Sequence, residues 1–181
     1  MPLAAADEAR LRAIVAEHLD FTWRSLRRLG LPADLADDAT QRVFLVVSRK
    51  LTSIEPGCER AFLFNTAVRV ASSEKRAFAR RREVLRGGDD DDIRDAAPGA
   101  DELLDQRRAR ALLDDLLGML DLDTRAVFVL FELEGMTTAE IASCLAIPAG
   151  TAASRLRRGR EEFQKVLRRH GARLRRGGST P

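Results

Sequence analysis

Apolar positions along this chain recur every three or four residues, the period of helices that bury one face. Leu11, Ile14, Val15, Leu19, Trp23, Leu26 and Leu29 predict a first helix over about 7–29, with Gly30 past its end and Pro32 beyond. Asp34 is placed to cap a second helix, DLADDATQRVFLVVSRKL. It buries Leu35, Val43, Phe44, Val47 and Leu51 and leaves Asp37, Asp38, Gln41 and Arg42 outside. The β-branched residues at 43, 46 and 47 suit a strand, but the acidic first turn, basic last turn and length favour a helix. SIEPGCER, residues 53–60, is a turn or loop, and a third helix runs over 61–86, apolar at first and then basic.

GGDDDDIRDAAPGAD follows, with the composition of a linker that has no core of its own. Beyond it ELLDQRRARALLDDLLGML is a long amphipathic helix. LDLDTRAVFVLFELEGM is a shorter and more apolar one, capped by Asp121 or Asp123. No segment alternates convincingly as a strand does. The expected fold is all-α: a helical domain over 7–86, an acidic flexible linker over 87–100, a second helical domain over 101–170, and a basic flexible tail over 171–181.

The stretch Thr137 to Arg169 carries the most specific pattern. Thr137 and Glu140 have the spacing of a capping box, so a helix should begin there. Ile141, Ala142 and Leu145 form its apolar stripe, and Ile147, Pro148, Ala149 and Gly150 end it in a turn of about four residues, the length a helix-turn-helix uses. The next helix carries Thr151, Ser154, Arg155, Arg157, Arg158 and Arg160, while Leu156, Phe163, Val166 and Leu167 face inward. Small polar groups in its leading turn suit a major groove, and the arginines suit phosphates or guanine edges. A merely solvated basic face is the plainer reading of such a run. The turn, the box and the arginines together favour DNA contact.

Charge supports that reading. The 181 residues are 45% hydrophobic, 33% charged and 5% aromatic, with a formal charge of +3. From Arg69 to Arg86 there are seven Lys or Arg against Glu74 and Glu83, and from Arg155 to Arg176 ten against Glu161 and Glu162. Between them, Gly87 to Asp123 holds twelve acidic residues against four arginines. Two basic blocks on either side of an acidic one suggest two nucleic-acid surfaces joined by a segment that avoids nucleic acid. In the first block Phe62, Phe64, Asn65 and Arg69 precede the cationic run, and aromatic faces beside guanidinium groups suit unstacked single-stranded bases. At least one of the two phenylalanines is expected in the core.

No run reaches the apolar length of a spanning helix, and the N-terminus has acidic residues where a signal peptide needs a basic start. A cytoplasmic protein is expected. Cys58 and Cys144 lie far apart, and with only His18 and His170 besides, no metal site or other cofactor is expected. No set of nucleophile, base and orienting acid is visible, so no enzyme is expected.

The motifs and their order resemble the sigma factors of bacterial RNA polymerase, in particular the short extracytoplasmic-function group, over about His18 to Arg169. The strongest part is LDTRAVFVLFELEGMTTAEIASCLAIPAGTAASRLRRGREEF, which is similar to the family's fourth region. WRSLRRLGLPADLADDATQRVFLVV resembles the start of its second. The resemblance implies a promoter-specificity subunit without catalysis. Thr151, Ser154, Arg155, Arg158 and their neighbours would read the minus-thirty-five duplex. The face bearing Asp37, Asp38, Gln41 and Phe44 would dock on the clamp coiled coil of core RNA polymerase. The loop before Phe62 and the helix through Asn65, Arg69, Lys75 and Arg76 would hold the opened minus-ten strand. The polymerase flap and an anti-sigma factor are further partners that the resemblance brings in.

Some positions depart from the family's usual pattern. Gln41-Arg42 stands where Gln-Glu is common, Phe62 replaces a frequent tryptophan, and Val68-Arg69 occupies a frequent Arg-Asn pair. Ala146 replaces a turn glycine, and Ala152 and Ala153 stand where a larger aliphatic and a lysine are common. Two other functions suit the same residues: an autonomous helix-turn-helix regulator, and a degenerate sigma-like interaction protein.

Overall fold

A computed structural model describes residues 5–84 and 101–177, with the side chains at 78–79, 81–84, 101–107 and 171–177 excepted. The expected linker over 87–100 lies outside the described residues. Those described form seven α-helices: α1 (Ala5–Arg28), α2 (Ala33–Lys50), α3 (Glu59–Val84), α4 (Asp101–Gly118), α5 (Leu122–Glu132), α6 (Thr138–Leu145) and α7 (Ala149–Gly177). A 3-10 turn, Leu51–Ser53, follows α2, and there is no strand among the described residues.

α1 opens with Asp7 and Glu8 and closes with Arg27 and Arg28, so its charges oppose the helix dipole at both ends. Its end is a Schellman turn. The Leu31 amide donates to the Leu26 carbonyl and the Gly30 amide to Arg27, with Gly30 at a φ of 94° that favours glycine. α2 begins differently from expectation. Pro32 holds the cap position with no side-chain hydrogen bond, and Asp34 lies inside the first turn, where it acts as a charge near the positive helix end.

Helices α1 to α3 bury Leu26, Leu29, Ala36, Ala39, Val43, Val47, Leu63, Phe64, Ala67 and Ala71. Helices α4 to α7 bury Leu117, Leu120, Val127, Val129, Leu130, Ile141, Ala152 and Leu156. α7 crosses α5 closely because position 159 has no side chain: a Cβ on Gly159 would stand 3.1 Å from the Thr124 methyl and 3.3 Å from Phe128. Further along α7 the burial stops. Leu167, expected inside, is 49% exposed. The helix itself continues to Gly177, through residues read from sequence as the start of a tail.

The two helical domains are not held apart. Their cores form one continuous cluster of buried residues, and α3 of the first domain lies against α5 and α6 of the second.

Candidate nucleic-acid and polymerase interfaces

The second domain presents a helix-turn-helix. The Thr137 side chain accepts from the Glu140 amide and the Glu140 carboxylate accepts from the Thr137 amide at 2.7 Å, a complete capping box. Those hydrogen bonds hold the Glu140 carboxyl below the usual range. α6 then stops at Ala146, which takes the left-handed conformation at φ 53°, ψ 46°. An alanine does here what glycine does at lower cost. The Ile147 amide reaches back to Ala142 and the chain turns into α7.

α7 buries Ala152 and Leu156 and sets the Phe163 ring 4.9 Å from Phe128. Its other side is the expected polar face. Ser154, Arg157, Arg158 and Arg160 are exposed, and Thr151 and Arg155 are half-buried. Arg155 bonds Asp123 at 2.5 Å, which joins the leading turn of α7 to that of α5. Arg158 reaches Glu162 at 2.8 Å and Asp121 at 3.4 Å. Arg160 pairs with Glu132 at 2.6 Å and lies over the Phe131 ring. Asp121 is the cap of α5, accepting from the Thr124 amide at 2.9 Å. These exposed pairs are individually weak, so a phosphate can displace the carboxylates.

Helical geometry sorts the six candidates on α3. Phe62, Asn65, Arg69 and Arg76 fall on one stripe, while Phe64 and Lys75 fall on the opposite side. Phe64 is 1% exposed and packs beside Phe21, with ring centroids 6.4 Å apart, so it belongs to the core. Phe62 is half-buried, Arg69 and Arg76 are exposed, and Arg76 donates to the Ser72 hydroxyl at 2.6 Å. The Asn65 amide is already engaged, donating to the Cys144 carbonyl of α6 at 2.8 Å. A small groove between the domains is walled by Asn65 and Val68 on one side and Asp123, Leu145, Ile147 and Arg155 on the other. Lys75 is half-buried against the second domain. Burial, with the nearby Arg125 guanidinium, lowers its pKa to about 8.

On α2 Asp37, Asp38 and Gln41 are exposed and Phe44 is half-buried against the core. The Trp23 indole donates to the Asp37 carboxylate at 2.7 Å, which fixes that carboxylate on the surface. Arg42, whose charge is opposite to the family's usual residue, pairs with Glu74 and so ties α2 to α3. Leu45, 54% exposed, adds an apolar contact to this face that periodicity alone does not single out.

Two further residues had no signal in the sequence pattern. Arg125 sits within an apolar run yet is only 1% exposed, with Nη1 on the Leu29 carbonyl at 2.7 Å and Nη2 on those of Gly118 and Leu120. Glu134 accepts from Arg28 at 2.5 Å and also from Arg60. Among the described residues no helix is long and apolar enough to cross a membrane.

Comparison with known proteins gives one consistent picture. Residues 110–163 match the family of sigma-70, region 4. The chain is 33% identical over 155 residues to the ECF RNA polymerase sigma factor SigL of Mycobacterium tuberculosis, covering 84% of this chain and 86% of that protein. It is 28% identical over 172 residues to SigE of Mycolicibacterium smegmatis, covering 93% of this chain and 67% of that one. Among solved structures, the sigma factor RpoE of Bartonella quintana, in complex with the anti-sigma factor NepR, shares the fold. Its TM-score is 0.67 at 24% identity, over 87% of this chain and 96% of that chain.

Proposed function

The chain belongs to the extracytoplasmic-function sigma factors, the promoter-specificity subunits of RNA polymerase, and from that premise we propose how its surfaces divide the work. The N-terminal part of α7, with Thr151, Ser154, Arg155, Arg157, Arg158 and Arg160, reads the minus-thirty-five duplex. The stripe of Phe62, Asn65, Arg69 and Arg76 on α3 takes the opened minus-ten strand, and Lys75 faces away from it. Asp37, Asp38, Gln41, Phe44 and Leu45 on α2 dock on the clamp coiled coil, and the second domain meets the flap. The protein acts in the cytoplasm without catalysis of its own.

The observation that carries this reading is the recognition unit itself. A fully capped α6, a left-handed turn at Ala146 and an α7 whose N-terminal part exposes Ser154, Arg157, Arg158 and Arg160 have the geometry of a helix that enters a major groove. Phosphate-reaching arginines position such a helix, and the residues of its first turn read base edges.

An anti-sigma partner fits the same picture. RpoE was solved with NepR, and CnrH, at a TM-score of 0.61, with the cytosolic domain of CnrY. The test is selection from a duplex pool with randomised minus-thirty-five and minus-ten segments, using core polymerase alone, this protein alone, and both. Enrichment of one bipartite sequence only by the pair supports the proposal. Equal enrichment by the protein alone identifies an autonomous regulator instead.

A further inference from the structure

The chain between α2 and α3 is anchored by two buried residues, Leu51 and Ile54, and then exposes Glu55, Pro56, Gly57 and Cys58. These four have the hydrogen bond and the residue order of a type II turn. The Cys58 amide donates to the Glu55 carbonyl at 3.0 Å, Pro56 takes the second position, and Gly57 the third at a φ of 86°. Arg10, near the start of α1, reaches both arms of this loop. Its guanidinium donates to the Leu51 carbonyl at 3.2 Å and the Ile54 carbonyl at 2.6 Å on the entering side, and to the Glu59 carboxylate at 3.0 Å on the leaving side. The other oxygen of that carboxylate accepts from the Gly57 amide at 2.6 Å. The Glu59 carboxyl is held below the usual carboxylate range by its own amide, by Arg10 and by Gly57. One ion pair therefore ties both arms of the loop, and the turn itself, to α1.

The turn stands at the head of the α3 stripe. The Phe62 amide donates to the Cys58 carbonyl at 3.0 Å, so Cys58 lies one helical turn before Phe62, and Asn65 and Arg69 continue the line. A Cβ on Gly57 would meet nothing within 4 Å, so the space above the turn is open. We propose that Arg10 and Glu59 are positioning residues for strand capture, which hold the turn Glu55–Cys58 in one shape so that it meets the base next to the one on Phe62. The proposal rests on the reading that α3 takes the minus-ten strand. Neither residue touches the strand. A loop fixed in advance loses less entropy on binding, and its main-chain groups stay at set positions, so its shape discriminates among bases.

The test is selection from the duplex pool randomised over the minus-ten segment, with core polymerase and the full-length parent, Arg10→Gln, Arg10→Lys or Glu59→Gln. A circular-dichroism melt and hydrogen exchange at the Gly57 and Cys58 amides accompany each protein. Arg10→Gln lowers the net charge and Glu59→Gln raises it, yet both break the same brace. Arg10→Lys keeps the charge at one point in place of a fork. All three variants should lose about three- to tenfold of the preference at one and the same minus-ten position, keep the minus-thirty-five preference, and exchange both amides about tenfold faster. Their melts should stay within about 4 °C of the parent, since a part-exposed pair adds little stability.

Unchanged amide exchange or unchanged preference in folded variants overturns the brace. Opposite effects of Arg10→Gln and Glu59→Gln, or full restoration by lysine, would mean that Arg10 acts by charge on a phosphate, and would overturn it as well. A loss spread over every promoter position in proportion to the melt leaves the pair a structural role only and has the same force. Should Arg10→Gln not fold, Glu59→Gln carries the test, because it keeps the size and shape of the side chain. A parent without any minus-ten preference refutes the reading of α3 and the brace with it, whereas a parent preference shared by every variant refutes the brace alone.

Discussion

Replacing Phe62 and Phe64 of α3 by alanine, one at a time, separates packing from base stacking within one turn of one helix. Phe64 is 1% exposed, lies beside Phe21 and shares its face with Leu63, Ala67 and Ala71, all buried. Truncating it leaves a cavity in the core, and such changes cost about 3 to 5 kcal/mol. For a chain of this size each kcal/mol lowers the melting temperature by roughly 2 to 4 °C, so Phe64→Ala should melt about 6 to 20 °C below the parent.

Phe62 is half-buried at the edge of the same core. Its truncation removes part of a phenylalanine's burial, about 1 kcal/mol of stability. It also removes a stacking surface worth about 1 to 3 kcal/mol per base, which amounts to roughly 5- to 150-fold in strand capture. The assay is permanganate footprinting of the minus-ten region on a promoter opened with core polymerase, beside a thermal melt of each variant. Phe62→Ala should fold and open poorly, whereas Phe64→Ala should fail in proportion to its melt. A Phe62→Ala protein that folds and opens promoters as the parent does would refute the placement of the strand on this stripe.

Other perturbations test separate parts of the structure. Arg155→Ala should change the preferred minus-thirty-five sequences and cost about 1 to 3 kcal/mol at a cognate site, measured by selection from a randomised library. An unaltered preference removes this residue from base readout. Ala146→Gly should stabilise the second domain by about 1 kcal/mol, read in a denaturant melt, because it relieves the left-handed strain at φ 53°. Stability should rise as pH passes upward through about 8, where Lys75 loses its proton in the folded protein while the unfolded lysine keeps its own up to about 10.5. Above pH 9 the opposite contribution of Cys144, raised to about 11 by burial, sets in. The rise between 8 and 9 should therefore be the clearest in urea melts, and Lys75→Met should abolish it.

The helices were legible because each buries one face, and a buried face imprints its period on the sequence. α6 announced itself through chemistry that is local: the cap and its partner are three residues apart, and both hydrogen bonds form as the spacing implies. Phe64 was legible in principle, since positions 64, 67 and 71 share a face. The aromatic pair beside a cationic run pointed toward bases and left the two rings undistinguished. Asp34 was misread as a cap because an acidic residue favours the cap and the first turn alike, and Pro32 occupies the former. Leu167 kept the apolar period of α7 past the point where another helix covers it.

The contact between the domains left no such trace. Arg28 and Glu134 are 106 residues apart, and Arg125 stands as one polar letter in an apolar run. A residue that closes a carbonyl on a distant helix obeys no periodicity. Periodicity and composition supplied the two domains and their order, the resemblance to sigma factors supplied their roles, and the packing of one on the other emerged from the structure.

The central claim is that this protein confers promoter choice on core RNA polymerase. Run-off transcription with purified core, a promoter drawn from the selected pool, and the same promoter with its minus-thirty-five or minus-ten segment scrambled tests it directly. A defined transcript should appear only when the protein and both intact segments are present, and scrambling either segment should remove it. The same transcript from core without the protein, or one indifferent to both scrambled segments, would contradict the account.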